Sequence, residues 1–236
     1  MRNLIVTDVP RADRDQIAEL EKYGVATVHE AMGRIGSLGP DIVARQQGMS
    51  VAGSAVTALC WPGDNLMIHA AVEQCGEGDV LVVASAAPST HGMFGELFAT
   101  ALARRGVRAV VSDTGVRDTR ELREMGFGAW SRHVSAQGTV KATAGHVNLP
   151  VVIAGQRICP GDVVVADDDG VVVVPRLDVP DAVAKSRARV EKEAATRAAF
   201  RQGELGLDRY GLRETLKELG VEYVAYADLD DPEDMR

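Results

Sequence analysis

Ile17, Leu20 and Tyr23 recur three apart among charged residues, a one-sided apolar stripe that predicts a helix over positions 12 to 24. Gly24 is placed to end it, and a short second helical segment follows from Val28 to Met32. The residues from Met49 to Leu59 are small and β-branched, which suits a strand broken by Trp61, Pro62 and Gly63. Asp64 then stands where an N-cap would, ahead of a helix whose apolar face is Leu66, Met67, Ile68, Ala71, Val72 and Cys75.

From there strand and helix signals alternate: strand at Val80–Ala84, helix at Phe94–Arg105, strand at Val107–Ser112, helix at Arg120–Met125. That order predicts parallel strands with helical crossovers. Beyond Gly126 the texture changes to short β segments at Trp130–Val134, Val151–Ala154, Val163–Ala166 and Val171–Val174, separated by Gly, Pro and Asp turns. Two Gly-Asp pairs, Gly78-Asp79 and Gly161-Asp162, each lead into a valine-rich run. Near Val179 the valine-rich texture gives way to Ala, Arg, Glu and Lys, predicting a long helix at Ala182–Arg201, another at Leu212–Leu219 and an acidic, frayed tail from Asp228 to Arg236. We therefore expect a mixed α/β core over 1–178 and a helical arm over 179–236.

Composition narrows the class. The 236 residues are 46% hydrophobic and 25% charged with no apolar run long enough to span a bilayer, which predicts a soluble, cytoplasmic protein. A net charge of −8 and 4% aromatic residues argue against nucleic acid as a partner. Cys60, Cys75 and Cys159 lack Cys-x-x-Cys spacing and read as buried free thiols.

Common catalytic patterns are absent. His29-Glu30 opens like a zinc-protease helix, but Gly33 stands where the second histidine ligand belongs. There is no nucleophile elbow, dinucleotide fingerprint or phosphate loop. Of the lysines only Lys141 is a candidate for Schiff-base chemistry, so a metal is the more plausible electron sink.

The informative stretch runs from Gly95 to Asp118. Gly95, Glu96, Leu97 and Phe98 form the first turn of a predicted helix, whose N–H groups and dipole can hold a carboxylate. Arg117 and Asp118 follow the carboxyl end of a predicted buried strand, where open α/β sheets collect ligands. Arginine offers a planar fork for an oxo or carboxylate group, and aspartate a hard oxygen for Mg²⁺ or Mn²⁺. The plainer reading of Arg117-Asp118 is a loop ion pair and helix cap. For Asp167-Asp168-Asp169-Gly170 a turn is favoured over a cation site, and for His69 a packing role over a ligand role. His91 lies in the loop just before Gly95, within reach of a substrate bound there.

Glu96, twenty intervening residues and then Arg117-Asp118 resemble the signature of the RraA-like family of metal-dependent (class II) pyruvate aldolases. The stretches Gly24–Ala31, Pro62–His69, Ser135–Lys141 and Ala166–Val171 resemble the same family. Gly203–Asp208 resembles the tail of its 4-carboxy-4-hydroxy-2-oxoadipate aldolases. The resemblance implies a β/β/α swivelling-domain-like core with mixed sheets and a C-terminal helical arm, assembled as a homotrimer or homohexamer, and a divalent metal, Mg²⁺ or Mn²⁺, held by Asp118. It also implies Arg117 at the substrate oxygen and enolate, the amides of Gly95 to Phe98 on the pyruvate carboxylate, and Glu96 steering a water on the metal as base.

The implied reaction is retro-aldol cleavage of 4-carboxy-4-hydroxy-2-oxoadipate to pyruvate and oxaloacetate, or of 4-hydroxy-4-methyl-2-oxoglutarate to two pyruvates, with oxaloacetate decarboxylation as a side activity. The rival readings are a protein-binding regulator of an RNA-degrading endonuclease and a dedicated oxaloacetate decarboxylase.

Overall fold

The computed structural model describes residues 3–228; the acidic tail after Asp228 lies outside them. Its strands are β1 (Val43–Ala44), β2 (Val51–Cys60), β3 (Asp79–Ser85), β4 (Gly92–Phe94), β5 (Ala109–Val116), β6 (Gly128–Val134), β7 (His146–Val147), β8 (Val151–Ile153), β9 (Gln156–Ile158), β10 (Val163–Asp167) and β11 (Gly170–Val174). Its α-helices are α1 (Arg14–Ala31), α2 (Leu66–Gln74), α3 (Glu96–Ala103), α4 (Thr119–Glu124), α5 (Val179–Arg201), α6 (Gly206–Arg209) and α7 (Leu212–Glu218). None of the helices is long and apolar enough to cross a membrane.

Nine strands form one mixed sheet in the order β1-β6-β5-β3-β2-β10-β11, with β4 pairing the end of β5 and β7 pairing β2. β2, β3, β5 and β6 run parallel, as the alternation of strand and helix predicts, while β10 and β11 are antiparallel. β8 and β9 make a separate hairpin.

Period-two alternation divides the parallel strands between two core layers. Leu81, Val83 and Val110 pack under α2 and α3, whereas Val80, Val82, Ala109 and Val111 face Trp130, Ile153 and Ile158 on the other side. Both faces are covered, so these strands read as near-continuous valine runs, each fully buried side chain contributing about 1.5–3 kcal/mol. Trp130 is fully buried and donates its indole N–H to the Asp167 carbonyl at 2.8 Å.

α1 begins at Asp13, whose carboxylate accepts the N–H groups of Asp15 and Gln16, and it kinks at Gly24 (φ 77°). The kink is where the apolar stripe predicts a helix end. There Asp167 Oδ2 accepts the Val25 N–H at 2.8 Å, filling the space a Cβ on Gly24 would need. Asp168 accepts the Gly48 N–H through both oxygens, so these two aspartates tie backbone turns together.

The chain divides into two compact units within α5, Met1–Val190 and Glu191–Arg236, rather than at Val179. The composition shift precedes the boundary because the first turns of α5 still bury Val179, Ala182 and Val183 in the core with α1 and β11. In the second unit Phe200 meets Tyr210 edge-on at 6.2 Å, and Arg209 bonds Thr196 and Glu204 at 3.1 Å each.

Candidate active site

Three chain segments converge at the carboxyl ends of the parallel strands. β2 leads through Trp61, Pro62 and Gly63 to Asp64, which lies 2% exposed and is the organiser of this corner. Its Oδ1 accepts the Leu66 N–H at 2.9 Å, and its Oδ2 accepts the N–H groups of Ala142 and Thr143 at 2.8 and 2.7 Å. Burial alone pushes the Asp64 carboxyl up, but these three N–H groups outweigh it and hold the acid below its ordinary value. The helix N-cap itself is Asn65, one residue later than the pattern predicts. Asp64 thus pins the loop carrying Lys141 against the start of α2, which carries Asn65 and His69.

The second contribution is β4 and the first turn of α3. β4 is tied to the end of β5, and the Gly95 carbonyl accepts the N–H groups of Phe98 and Ala99 at 3.1 and 3.2 Å. The third is Arg117-Asp118, directly after β5. Asp118 adopts a left-handed backbone conformation (φ 56°, ψ 39°), costly for most side chains but tolerated by aspartate. This turn aims the carboxylate away from its own helix. Oδ2 accepts the Glu96 N–H at 3.1 Å and lies 3.6 Å from Arg117 Nε. The ion pair of the plainer reading is thus present, but the carboxylate does not cap its own helix α4; its contacts, to Arg117 and to the start of α3, both run through Oδ2 and leave Oδ1 for a ligand.

A cavity of about 130 Å³ opens between these segments, lined by Asn65, His69, Met93, Gly95, Leu97, Phe98, Arg117 and Lys141. Asn65 is 7% exposed; its amide N–H donates to the Met93 carbonyl at 3.2 Å, while its Oδ1 is buried with no partner. Lys141 has no carboxylate partner among the described residues. Two cations, an amide oxygen lacking a donor and a helix start thus line one small cavity.

The structure brings Gly95, Leu97, Phe98 and Arg117 to one cavity with Asp118 beside it. The Glu96 carboxylate does not line that cavity: Oε1 accepts the Thr100 hydroxyl at 2.8 Å, one turn along α3. Two of the four expected carboxylate-binding amides are already engaged, Glu96 with Asp118 and Phe98 with Gly95. His69 is exposed at the surface, but its ring packs 4.5 Å from Phe98, as the packing role expects, and it lines the cavity. Partial burial and the Lys141 charge hold its imidazole below the usual range. His91 lines a different cleft. Cys60 and Cys75 are buried, and desolvation pushes both thiols up to about 12, but Cys159 is partly exposed.

Asn65 is a residue that the sequence pattern does not single out, and Lys141, noted there only as a Schiff-base candidate, stands in the structure beside it. They are brought together by the Asp64–Val140 bridge, which no local spacing encodes.

The family model RraA-like (Aldolase/RraA) matches residues 25–173. The chain belongs to the RraA-like family. A 4-hydroxy-4-methyl-2-oxoglutarate aldolase of Thermus thermophilus is 30% identical to it over 112 residues, 48% of this chain and 68% of that protein. A Burkholderia multivorans protein given the same aldolase name provisionally is 37% identical over 122 residues, 52% of this chain and 74% of its own. Among solved structures, Streptomyces coelicolor RraAS2, described as an unusual member of the RNase ES inhibitor RraA family, superposes with a TM-score of 0.73 at 28% identity, covering 80% of this chain and 99% of that one. The mixed α/β core of this RraA-like chain is thus the architecture that its sequence resemblance implies.

A divalent metal fits the RraA-like site. Among the described residues no three acidic, histidine or cysteine side chains cluster as a ligand set. Mg²⁺ does not require one, since it keeps several waters and is held by one or two carboxylates together with its substrate. A Cβ on Gly95 would run into Asp118 Oδ2 and Arg117, so the glycine keeps open the space beside the carboxylate.

Proposed function

We propose that the chain is a divalent-metal-dependent aldolase, a carbon–carbon lyase that cleaves 4-carboxy-4-hydroxy-2-oxoadipate to pyruvate and oxaloacetate and 4-hydroxy-4-methyl-2-oxoglutarate to two pyruvates. Oxaloacetate decarboxylation is its side activity, and breakdown of aromatic compounds is the setting. The observation carrying this reading is the cavity in which Arg117, Lys141 and Asn65 converge beside the Asp118 carboxylate.

Asp118 would hold Mg²⁺ or Mn²⁺ through Oδ1, and the metal supplies Lewis-acid polarisation of the 2-oxo group. Arg117 presents its fork to the C2 oxygen, where negative charge develops as the C3–C4 bond breaks and its electron pair passes to C3. Lys141 and the α3 N-terminus bind the carboxylate next to that carbon. Asn65 Oδ1 accepts a hydrogen bond from a substrate hydroxyl, which ends its isolation. The C4 hydroxyl proton leaves through water to Glu96, whose orientation the Thr100 hydroxyl fixes. Protonation at C3 completes pyruvate. An assembly of three or six copies is part of the same proposal.

The test is pyruvate release from each substrate by the purified full chain, with and without Mg²⁺, coupled to lactate dehydrogenase. Metal-dependent pyruvate is expected from at least one aldol substrate, and its absence from both overturns the reading. A faster rate with oxaloacetate alone would favour the dedicated decarboxylase. The similarity to RraAS2 keeps a second reading in view, regulation of an RNA-degrading endonuclease by binding, which predicts inhibition of the nuclease and no pyruvate.

A further inference from the structure

A larger cleft, about 700 Å³, is lined by Ser85, His91, Asp113, Arg132, His133 and Gln137 together with the apolar surface of Pro62 and Ala86 to Pro88. Its volume is in the range of small-molecule sites, and it opens at the carboxyl ends of β3 and β5. The aldol mechanism uses none of these residues.

Two of its groups lack the partners their chemistry demands. Asp113 accepts the Ser85 N–H at 2.9 Å, and no arginine or lysine lies within ion-pairing distance of it among the described residues. Burial pushes this carboxyl up to about 6, so near neutral pH it stands ionised and poorly solvated, a demand for a cationic donor. The Ser85 hydroxyl is buried and unpartnered. The opposite charge is close by. Asp113 and Arg132 follow the Ser112–Ser131 pair of β5 and β6, at the point where the strand register shifts, and both line this cleft. Arg132 gives Nη1 to Asp41 at 2.7 Å, which leaves the rest of its fork for an anion. The other titratable groups around Asp113 are His133 on β6, His91 before β4 and Cys60 at the end of β2.

We propose that this cleft is a second small-molecule site that takes a zwitterion of α-amino-acid size, its ammonium on Asp113 and the Ser85 hydroxyl and its carboxylate on Arg132 and His133. A simple anion would meet the Asp113 charge, and a simple cation would meet Arg132. Only a ligand carrying both signs a few ångströms apart satisfies the two walls together. The short apolar stretch Ala86–Pro88 suits a small side chain.

Isothermal titration of the full chain at pH 7.5 with L-alanine, L-serine and L-aspartate, each against propionate and ethylamine at matched ionic strength, tests this. At least one amino acid is expected to bind ten times or more tightly than either single-charge probe. Asp113→Asn should weaken that binding at least tenfold, and lowering the pH to 5, below the raised value at which Asp113 takes up a proton, should weaken it in the same direction. Ser85→Ala should weaken it several-fold with the fold unchanged by circular dichroism, and it serves as the second variant if Asp113→Asn does not fold. Failure of all three amino acids, equal binding of propionate, or unchanged affinity in the folded variants overturns the proposal. Because the readout is binding, its failure is separate from that of the aldolase reading.

Discussion

The two ends of the same parallel strands treat charge in opposite ways. At the amino ends Arg11 grips the almost fully buried Asp79 through Nε and Nη2, both at 2.7 Å, Arg14 meets Glu77 at 2.9 Å, and Arg108 is forked onto Glu21. A cavity of about 230 Å³ lies among them, yet every cation lining it has its acid. At the carboxyl ends, among the described residues, Lys141 has no acid and Asn65 Oδ1 no donor, while Arg117, 3.6 Å from Asp118, lines the cavity. Closed pairs hold the strand ends in register; open groups wait for something the chain does not supply. The closed ion pairs at the amino ends are therefore the poorer guide to function.

The comparison breaks most sharply at Asp118. Asp118→Asn keeps the left-handed turn and an acceptor for the Glu96 N–H but removes the charge, so metal-dependent pyruvate release should fall by about a thousandfold with the melting temperature unchanged. If turnover survives, the plain ion-pair reading is sufficient. Arg117→Lys comes next, with a loss of about a hundredfold in kcat, because an ammonium cannot reproduce the planar fork; full turnover would remove Arg117 from the developing charge.

At the closed end the expected effect is on stability alone. Arg11→Met leaves Asp79 buried without its counter-charge and should cost about 2 kcal/mol in urea unfolding, with kcat unchanged. A change in kcat instead would erase the distinction between the two ends.

The smallest effects lie in the pH profile of stability. Asp64 titrates below its ordinary value in the folded protein, so the stability it contributes is present above about pH 4 and is lost as pH falls through the depressed folded value. Asp64→Asn should flatten that acid limb. Asp113 has the opposite sign: its stabilisation is complete below about pH 4 and disappears as pH rises through about 6, so Asp113→Asn should stabilise the protein at pH 7.5 and leave it unchanged at pH 4.

Much of the core is legible in the sequence because burial leaves a local trace. Val80 to Val83 and Val163 to Val165 read as strands since both of their faces are covered, and Gly24 marks the kink of α1. Arg117 and Asp118 are legible from their place after a strand. The convergence of Asn65 and Lys141 is not, because it depends on Asp64 collecting N–H groups from a loop 78 residues away. Proximity in sequence puts His91 near Gly95 and misleads, because His91 lines the cleft with Ser85 and Asp113 while Gly95 lines the cavity with Arg117 and Lys141. The composition shift marks the end of the core too early because α5 changes composition before it leaves the packed interior.

The left-handed turn at Asp118 also narrows the alphabet at that position. Aspartate, asparagine and glycine are the residues that enter this conformation readily, and of the three only aspartate carries charge. A lineage that replaced it by either of the others would keep the turn and the strand ends, and so the shape of the molecule, while discarding the carboxylate that stands beside the cavity. Shape and chemistry can therefore part company here by a single substitution, and the identity of one residue in an otherwise unchanged scaffold would then tell a catalyst from a protein that only binds.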